Sequence, residues 1–360
     1  MSPASFCHTL LDWYLSYGRD LPWRHTHDPY AIWLSEVILQ QTRISQGTAY
    51  WQRFMQSWPT VDALAAGTED EVLKMWQGLG YYSRARNLHT AAQQIVAMGQ
   101  FPHTLDEIRK LKGVGDYTAA AIASMAFGVT AAAVDGNVYR VLSRFYAIDS
   151  PINSTEGKHL FARLADELVH AVPRQALSPQ GEEVSGASLF NQAMMDFGAT
   201  QCTPQSPSCM LCPFAEDCEA HRQGIVERLP VKLKKIKITT RHLIYIYVRT
   251  QGYTAIHRRG AGDIWQGLWE PPLFEDQSLP QWPGHLRQLA TGVKHVLTHR
   301  ILMADFYVLD TDVRPSLPED YIWVPETQLG DYAVPRLVEK LLTEYLSAQM
   351  QKSVAEHHEG

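Results

Sequence analysis

The chain has 360 residues, with 32 Lys and Arg against 38 Asp and Glu, a formal net charge of −6, and 45% hydrophobic residues. At roughly 100–200 residues per domain this length suits two domains or three, and the composition is that of an ordinary globular protein with a sizeable core. No apolar run is long enough for a membrane span and the N-terminal stretch lacks the basic start of a secretory leader, so the expected location is the cytoplasm. Net acidity argues mildly against nucleic acid as partner, but residues 222–241 hold seven Lys/Arg against one Glu, and a few placed cations suffice to hold phosphates.

From residue 1 to about 221 apolar residues recur at three- and four-residue spacing, which predicts an almost wholly helical region. A short amphipathic helix begins the chain. Asp28-Pro29 is a helix start, with Asp as N-cap and Pro in the first turn, and the helix continues through AIWLSEVILQQT. EVLKMWQGLG predicts another helix that stops at glycine, and a third follows Gly113–Gly115. Residues 222–241 read as an interdomain linker or, for the second half, equally as a solvated edge strand. HLIYIYVRT and YTAIHRR alternate as strands around a turn at Gln251-Gly252, and KHVLTHRILMADFYVL predicts two more. Helical patterns are read at LPQWPGHLRQLA and PRLVEKLLTEYL, giving an α+β domain over about 242–346, and 347–360 is expected to be disordered.

Glu36 lies within IWLSEVIL, among apolar side chains. Burial makes a carboxylate costly to ionise, so its pKa should rise, as a general acid requires; an exposed Glu on a polar stripe is the plain alternative. Gly113 and Gly115 in LKGVGDY allow a close backbone approach before a helix start, where free N–H groups can meet a phosphate; a simple helical corner is equally compatible. Asp135 in AAVDGNVYRVLSR is placed to cap the next helix, and the positive helix end should keep it ionised. Glu36 and Asp135 should therefore have pKa values pushed apart, a division of labour suited to cleaving a glycosidic bond. Cys202, Cys209, Cys212 and Cys218 form C-x6-C-x2-C-x5-C. Four thiolates in one short loop favour a [4Fe–4S] cluster over zinc, whose structural sites more often use two separated C-x2-C pairs. Cys7 reads as a free, half-buried thiol, and Met194 and Met195 as helix packing.

The cysteine spacing, and a GVG hairpin followed some twenty residues later by Asp135, resemble the endonuclease III superfamily of helix-hairpin-helix base-excision glycosylases. Within it the chain resembles the MutY-type adenine DNA glycosylases, through LPWR (21–24), WLSEVILQQTR (33–43), GLGYYSRARNLH (78–89), GVGDYTAAAIAS (113–124), DGNVYRVLSR (135–144) and FNQAMMDFGA (190–199). The resemblance implies a mainly α glycosylase domain over 1–221, with a six-helix lobe at about 20–131 and an iron–sulfur lobe from 1–19 and 132–221. A C-terminal α+β Nudix-like domain over 242–346 follows the linker. It implies one [4Fe–4S] cluster, and a monomer acting on double-stranded DNA with A·8-oxoguanine or A·G mispairs in a bacterial, nucleoid-associated setting.

By the same resemblance Glu36 protonates adenine and Asp135 stabilises the sugar cation, with Tyr117 and Asn137 in the same site. Arg19, Trp23, Arg24, Leu39 and Gln192 form the adenine pocket. Gln41 and Tyr81 wedge into the duplex, and Gly113 and Gly115 meet its backbone. Relatives that also nick the strand have a lysine where Tyr117 stands, so no Schiff base is expected, although Lys112 is nearby. The Nudix pattern G-x5-E-x7-R-E-x2-E-E is missing, so pyrophosphate hydrolysis is not expected. The family's 8-oxoguanine-reading loop corresponds to His295, Leu297, Thr298 and His299, with Leu297 in place of an aromatic residue and Thr298 in place of serine. A lyase acting on oxidised pyrimidines and a non-catalytic cluster-bearing DNA binder are the competing classes.

Overall fold

The computed structural model describes residues 1–233, 238–275 and 278–346, which fall into two compact units. The first comprises 1–66 and 87–234, the second 67–86 and 235–360.

The first unit contains α1 (Pro3–Tyr17), α2 (Pro29–Leu39), α3 (Ile44–Ser57) and α4 (Val61–Ala66). Past α5 (Glu69–Trp76), which belongs to the second unit, come α6 (Ser83–Met98), crossing the division, and α7 (Leu105–Arg109), α8 (Asp116–Phe127), α9 (Gly136–Phe145) and α10 (Thr155–Val169). A small hairpin of β1 (Gln175–Leu177) and β2 (Glu183–Ser185) then precedes α11 (Gly186–Asp196) and α12 (Glu219–Arg222). This hairpin is an exception within a unit expected to be almost wholly helical; each strand has only three residues, too few for alternation to register.

Asp28 caps α2 by accepting from the Tyr30 N–H at 3.0 Å, with Pro29 in the first turn, as the sequence predicts. Every residue of α2 from Tyr30 to Ile38 is buried, Glu36 included, so this helix has no polar face. α8 packs on it through a run of small buried residues, Ala119, Ala120, Ala121 and Ala123. Small side chains let the backbones approach, which brings Tyr117 within reach of Glu36. α1 packs against α10 and α11, around Phe6, Leu10, Tyr14, Phe161 and Phe190. Cys7 is fully buried there, its thiol donating to the Leu168 carbonyl at 3.2 Å, so the half-buried expectation is corrected.

The first part of the supposed linker is tied to this unit: Ile152 N–H donates to the Val231 carbonyl at 3.0 Å, and Asn153 brackets Leu233 with two hydrogen bonds of 2.9 Å. Residues 234–237 of that linker, and the tail 347–360, lie outside the described residues.

In the second unit β3 (Thr239–Arg249), β4 (Tyr253–Arg258), β5 (Trp269–Glu270), β6 (Leu273–Glu275), β7 (His285–Val296), β8 (Arg300–Asp310) and β9 (Tyr321–Pro325) form two sheets, followed by α13 (Arg336–Lys340). The four-stranded sheet runs β6-β3-β8-β7, with β3 parallel to β8, and the three-stranded sheet runs β5-β4-β9. Gln251 and Gly252 make the expected turn, both with positive φ (50° and 79°), but β3 and β4 then part into different sheets. β3 starts at Thr239 and Thr240, which are exposed and paired with β8 while the described pairing with β6 begins only at Leu243, so the end of 222–241 fits the solvated-strand alternative.

The helix expected at 279–290 is absent: from His285 onward this stretch is β7, paired with β8 and broken by irregularities at Gln288/Ala290 and Ala290/Val293. Those breaks in register disrupt strict alternation and imitate a helical period. Residues 67–86, which the sequence assigns to the helical domain, join this unit through Arg258 to Glu69 (2.7 Å) and Asp70 (3.2 Å), and Arg86 to the Gln266 carbonyl (2.6 Å).

Candidate active site

A cavity of about 320 Å³ in the first unit is lined by Arg19, Trp23, Arg24, Glu36, Leu39, Tyr117, Asp135, Asn137 and Gln192, among others. These nine residues, from five separate stretches of sequence, are the ones singled out above for the carboxylate pair and its pocket. A larger cavity, about 590 Å³, lies in the second unit beside Tyr247, Arg249 and Glu326. Glu326 is there engaged by the Tyr247 hydroxyl (3.0 Å) and Arg249 Nε (3.1 Å), so size alone is no guide to chemistry.

Glu36 is buried in the middle of α2, and its Oε2 accepts from the Tyr117 hydroxyl at 2.7 Å. Burial pushes its pKa up to about 7, with the nearby Asp135 adding to the rise; the Tyr117 hydrogen bond and the Arg24 charge oppose it. It thus has the proton affinity of a general acid at neutral pH.

Asp135 caps α9. Its Oδ1 accepts from the N–H groups of Asn137 and Val138, each at 2.8 Å, and its Oδ2 from Asn137 Nδ2 at 2.7 Å. The sequence argument that the helix end would hold it ionised, and so shift the two acids in opposite directions, is corrected. Burial raises the pKa of Asp135 as well, against these hydrogen bonds and the Arg140 charge, which lower it. What separates the two acids is their partners: Glu36 has one hydroxyl, Asp135 three N–H donors arranged for a carboxylate.

Three further residues shape the site: Asp196 and Asn191, which were not singled out from sequence, and Met195, which was read only as packing. Asp196, at the end of α11, is fully buried. It accepts from Arg24 Nη1 and Nη2 (2.7 and 2.6 Å) and from Arg19 N and Nε (2.8 and 2.9 Å), with Arg19 Nη2 closer still. Burial works against its charge, but the arginine hydrogen bonds outweigh it and hold its pKa below the ordinary value. Asn191 is also buried: its Nδ2 donates to Ser124 Oγ (2.8 Å) and the Ala131 carbonyl (2.9 Å), and its Oδ1 accepts from Ala133 N–H (2.9 Å). It therefore clamps the segment leading to Asp135. Met195, read as packing, faces the cavity with its sulfur 3.7 Å from the Tyr117 hydroxyl, while Met194 is core. All three lie in FNQAMMDFGA, where an Asn and an Asp amid apolar residues were the available signal.

Gln192 is oriented by the Tyr14 hydroxyl, which donates to its Oε1 (2.9 Å), and by its own Nε2 donating to Ser188 Oγ (3.1 Å).

α9 also leads to the cysteines. Arg140 joins Asn137 Oδ1 (2.7 Å) to the carbonyls of Cys202 (2.8 Å) and Gly198 (2.5 Å). Arg144, fully buried, donates to the carbonyls of Thr203, Pro204, Val226 and Leu229 at 2.7–3.1 Å and to Cys202 Sγ at 3.4 Å. Cys202, Cys209, Cys212 and Cys218 line one common cavity with Arg144 and Val226. Among the described residues no group of three or more His, Cys, Asp or Glu is arranged to hold a single metal ion. Burial, then the other three thiols, push Cys212 up to about 12. Four thiols facing one another in an apolar cavity are the donor set of an iron–sulfur cluster, whose positive iron would favour their deprotonation.

Gly113 has φ 78°, and a Cβ there would meet the Asn87 side chain at 2.7 Å, so glycine is required. Gly115 precedes α8, whose first turn has no side-chain cap. Gln41, exposed between α2 and α3, has φ 59°, a conformation uncommon for a non-glycine residue. Tyr81, in the second unit, has φ 47° and an exposed ring, and its hydroxyl lies 2.8 Å from Thr298 Oγ1. Thr298 and His299 sit exposed in the turn between β7 and β8. His295 is the penultimate residue of β7, with its ring 5.8 Å from that of Trp265, whereas Leu297 packs against the core.

The fold and the carboxylate cavity define the class. Residues 34–166 match the HhH-GPD superfamily of base excision DNA repair proteins, residues 202–218 the iron–sulfur binding domain of endonuclease III, and residues 244–344 the NUDIX domain. The architecture is thus a helix-hairpin-helix glycosylase domain followed by a Nudix-like domain, and the cofactor is a [4Fe–4S] cluster. A thermostable thymine-DNA glycosylase of known structure is similar over 61% of this chain and 97% of its own, with 29% identity and a TM-score of 0.53.

An adenine DNA glycosylase of Buchnera aphidicola is 32% identical over 282 residues, 77% of this chain and 76% of its own length. The chain belongs to the adenine DNA glycosylase family. The rat relative is 42% identical over 241 residues, 63% of this chain, and the human one 41% identical over 237; these matches span 44% and 41% of those longer proteins.

Proposed function

We propose that this protein is a monofunctional DNA glycosylase, one that hydrolyses the N-glycosidic bond of adenine opposite 8-oxoguanine or guanine in duplex DNA. One observation carries the reading: a buried acid, Glu36, with a pKa of about 7 shares one cavity with a carboxyl held by three N–H donors, Asp135.

A base inside a duplex cannot be reached, so the adenosine must be flipped out into the cavity. Glu36 then gives its proton to the base, and the C1′–N bond electrons leave with adenine as a neutral molecule. Positive charge develops on the sugar and is met by the Asp135 carboxylate. A water adds to the sugar carbon and loses its proton to the Glu36 carboxylate, which restores the acid. Gln192, Trp23 and Leu39 supply the amide and the apolar walls that would hold the base.

Tyr117 occupies the position where strand-nicking relatives have lysine. Its phenol hydrogen-bonds to Glu36 and offers no amine for a Schiff base, which supports hydrolysis without strand cleavage. The uncapped N-terminus of α8 behind Gly113 and Gly115 suits a DNA phosphate. The cluster would be held by Cys202, Cys209, Cys212 and Cys218 and shape the loop that Arg144 supports. In the second unit, Tyr81, Thr298, His299 and His295 offer hydroxyl and imidazole groups to the opposite, oxidised guanine. The protein would act as a monomer, and the bacterial relatives fit work on chromosomal DNA in the cytoplasm.

The test is a panel of mispaired duplexes incubated with the protein and then treated with alkali. Abasic sites are expected at adenine opposite 8-oxoguanine and guanine. Release of oxidised pyrimidines instead, with borohydride-trapped adduct, would favour the lyase class, and no base release from any duplex would favour a DNA-binding protein.

A further inference from the structure

We propose that Asp196 is a positioning counter-ion: by absorbing the charge of Arg24 and Arg19 it keeps Glu36 protonated at neutral pH. The kinetic part of its test rests on the glycosylase reading; the spectroscopic part does not.

The charged residues lining the cavity are Arg19, Arg24, Arg43, Glu36 and Asp135, three cations against two carboxyls. Facing Glu36 are Tyr117 from α8, Asp135 from α9 and Arg24 from the turn Pro22–Arg24, whose charge works against its protonation. A guanidinium within roughly 4–6 Å of a carboxyl lowers its pKa by about 1–3 units, which would leave Glu36 ionised and without a proton to give. Asp196 stands behind this wall and does not line the cavity. Both of its oxygens are occupied by Arg24 and Arg19, and it has no exposure to water. Arg24 is itself nearly buried, with 9% of its side chain exposed, so water screens it little. Removing the Asp196 charge leaves Arg24 without its carboxylate partner, and its charge then acts unbalanced on Glu36, whose proton becomes easier to lose.

The test is the infrared carboxyl stretch of Glu36, isolated as the difference between each protein and the same protein carrying E36Q, followed against pH. In the wild type the protonated band should persist to about pH 7. In D196N its midpoint should fall by about one pH unit, in D196E it should stay near wild type, and in R24Q it should rise. Single-turnover base release should show the same displacement of its alkaline limb. Should D196N fail to fold, R24Q still decides. An unmoved midpoint in R24Q, or a D196N that loses rate equally at every pH with its limb in place, overturns the proposal. Midpoints that move as described in a protein that releases no base leave it standing and remove the glycosylase reading instead.

Discussion

The carboxylate cavity of the helical unit and the β7–β8 turn of the second unit are built in opposite ways. Around the cavity the polar groups are held from several sides: Asp135 by three donors, and the buried Asp196 and Asn191 by two arginines and by three bonds. In the turn, Thr298 and His299 are exposed, and the Thr298 hydroxyl is met by the Tyr81 hydroxyl. A buried unsatisfied group costs about 1–3 kcal/mol, while an exposed hydrogen bond nets only about 0.5–1.5. Substitutions are therefore costly around the cavity and cheap in the turn.

The comparison breaks most readily at Glu36. Glu36→Gln should lower single-turnover excision by about 10²–10⁴ while duplex affinity in a gel-shift titration changes only a few-fold; wild-type rates would remove the acid from the chemistry.

Arg144→Met should come next, leaving four carbonyls without their donor at a cost of several kcal/mol. Loss of bound iron and of the cluster's visible absorption is expected; full iron content at wild-type Tm would show that Arg144 does not support the loop.

Glu36→Gln should also stabilise the fold in a pH-dependent way. The folded pKa of Glu36 is raised from 4.5 to about 7, so the folded state favours the protonated acid. That stability is complete below about pH 4.5 and is lost as pH rises through about 7, reaching about 3 kcal/mol at full ionisation. Thermal melts should therefore show the variant gaining over wild type at pH 8 but not at pH 4; a difference independent of pH would mean Glu36 is not buried as a neutral acid.

Smallest is Thr298→Ala, expected to reduce the preference for 8-oxoguanine over guanine by about 2–10-fold, read as a ratio of excision rates, with the rate on the better substrate nearly kept. Equal loss on both would sever the turn from recognition.

Much of the site was legible because its residues belong to local patterns. Asp28-Pro29 starts α2, Asp135 caps α9, and Gly113 must be glycine at its φ; each depends on a few neighbouring residues and can be read along the chain. Asp196 and Asn191 were passed over because their partners lie far along the sequence: Arg19 and Arg24 are 177 and 172 residues away, Ser124 is 67. The strand β7 was mistaken for helix because two irregularities hide its alternation.

By itself the sequence determined the helical character of the first unit, the capping of α2 and α9, the four-cysteine loop and the acid buried in an apolar helix. All of these follow from short-range geometry and from the cost of placing each residue type in its local setting. Only the tertiary structure decided that Asp135 is raised and not lowered, that Asp196 gathers two arginines behind the cavity, and that residues 67–86 join the second unit. Those outcomes depend on desolvation and on charges brought together from distant segments, quantities that come into being when the chain is packed.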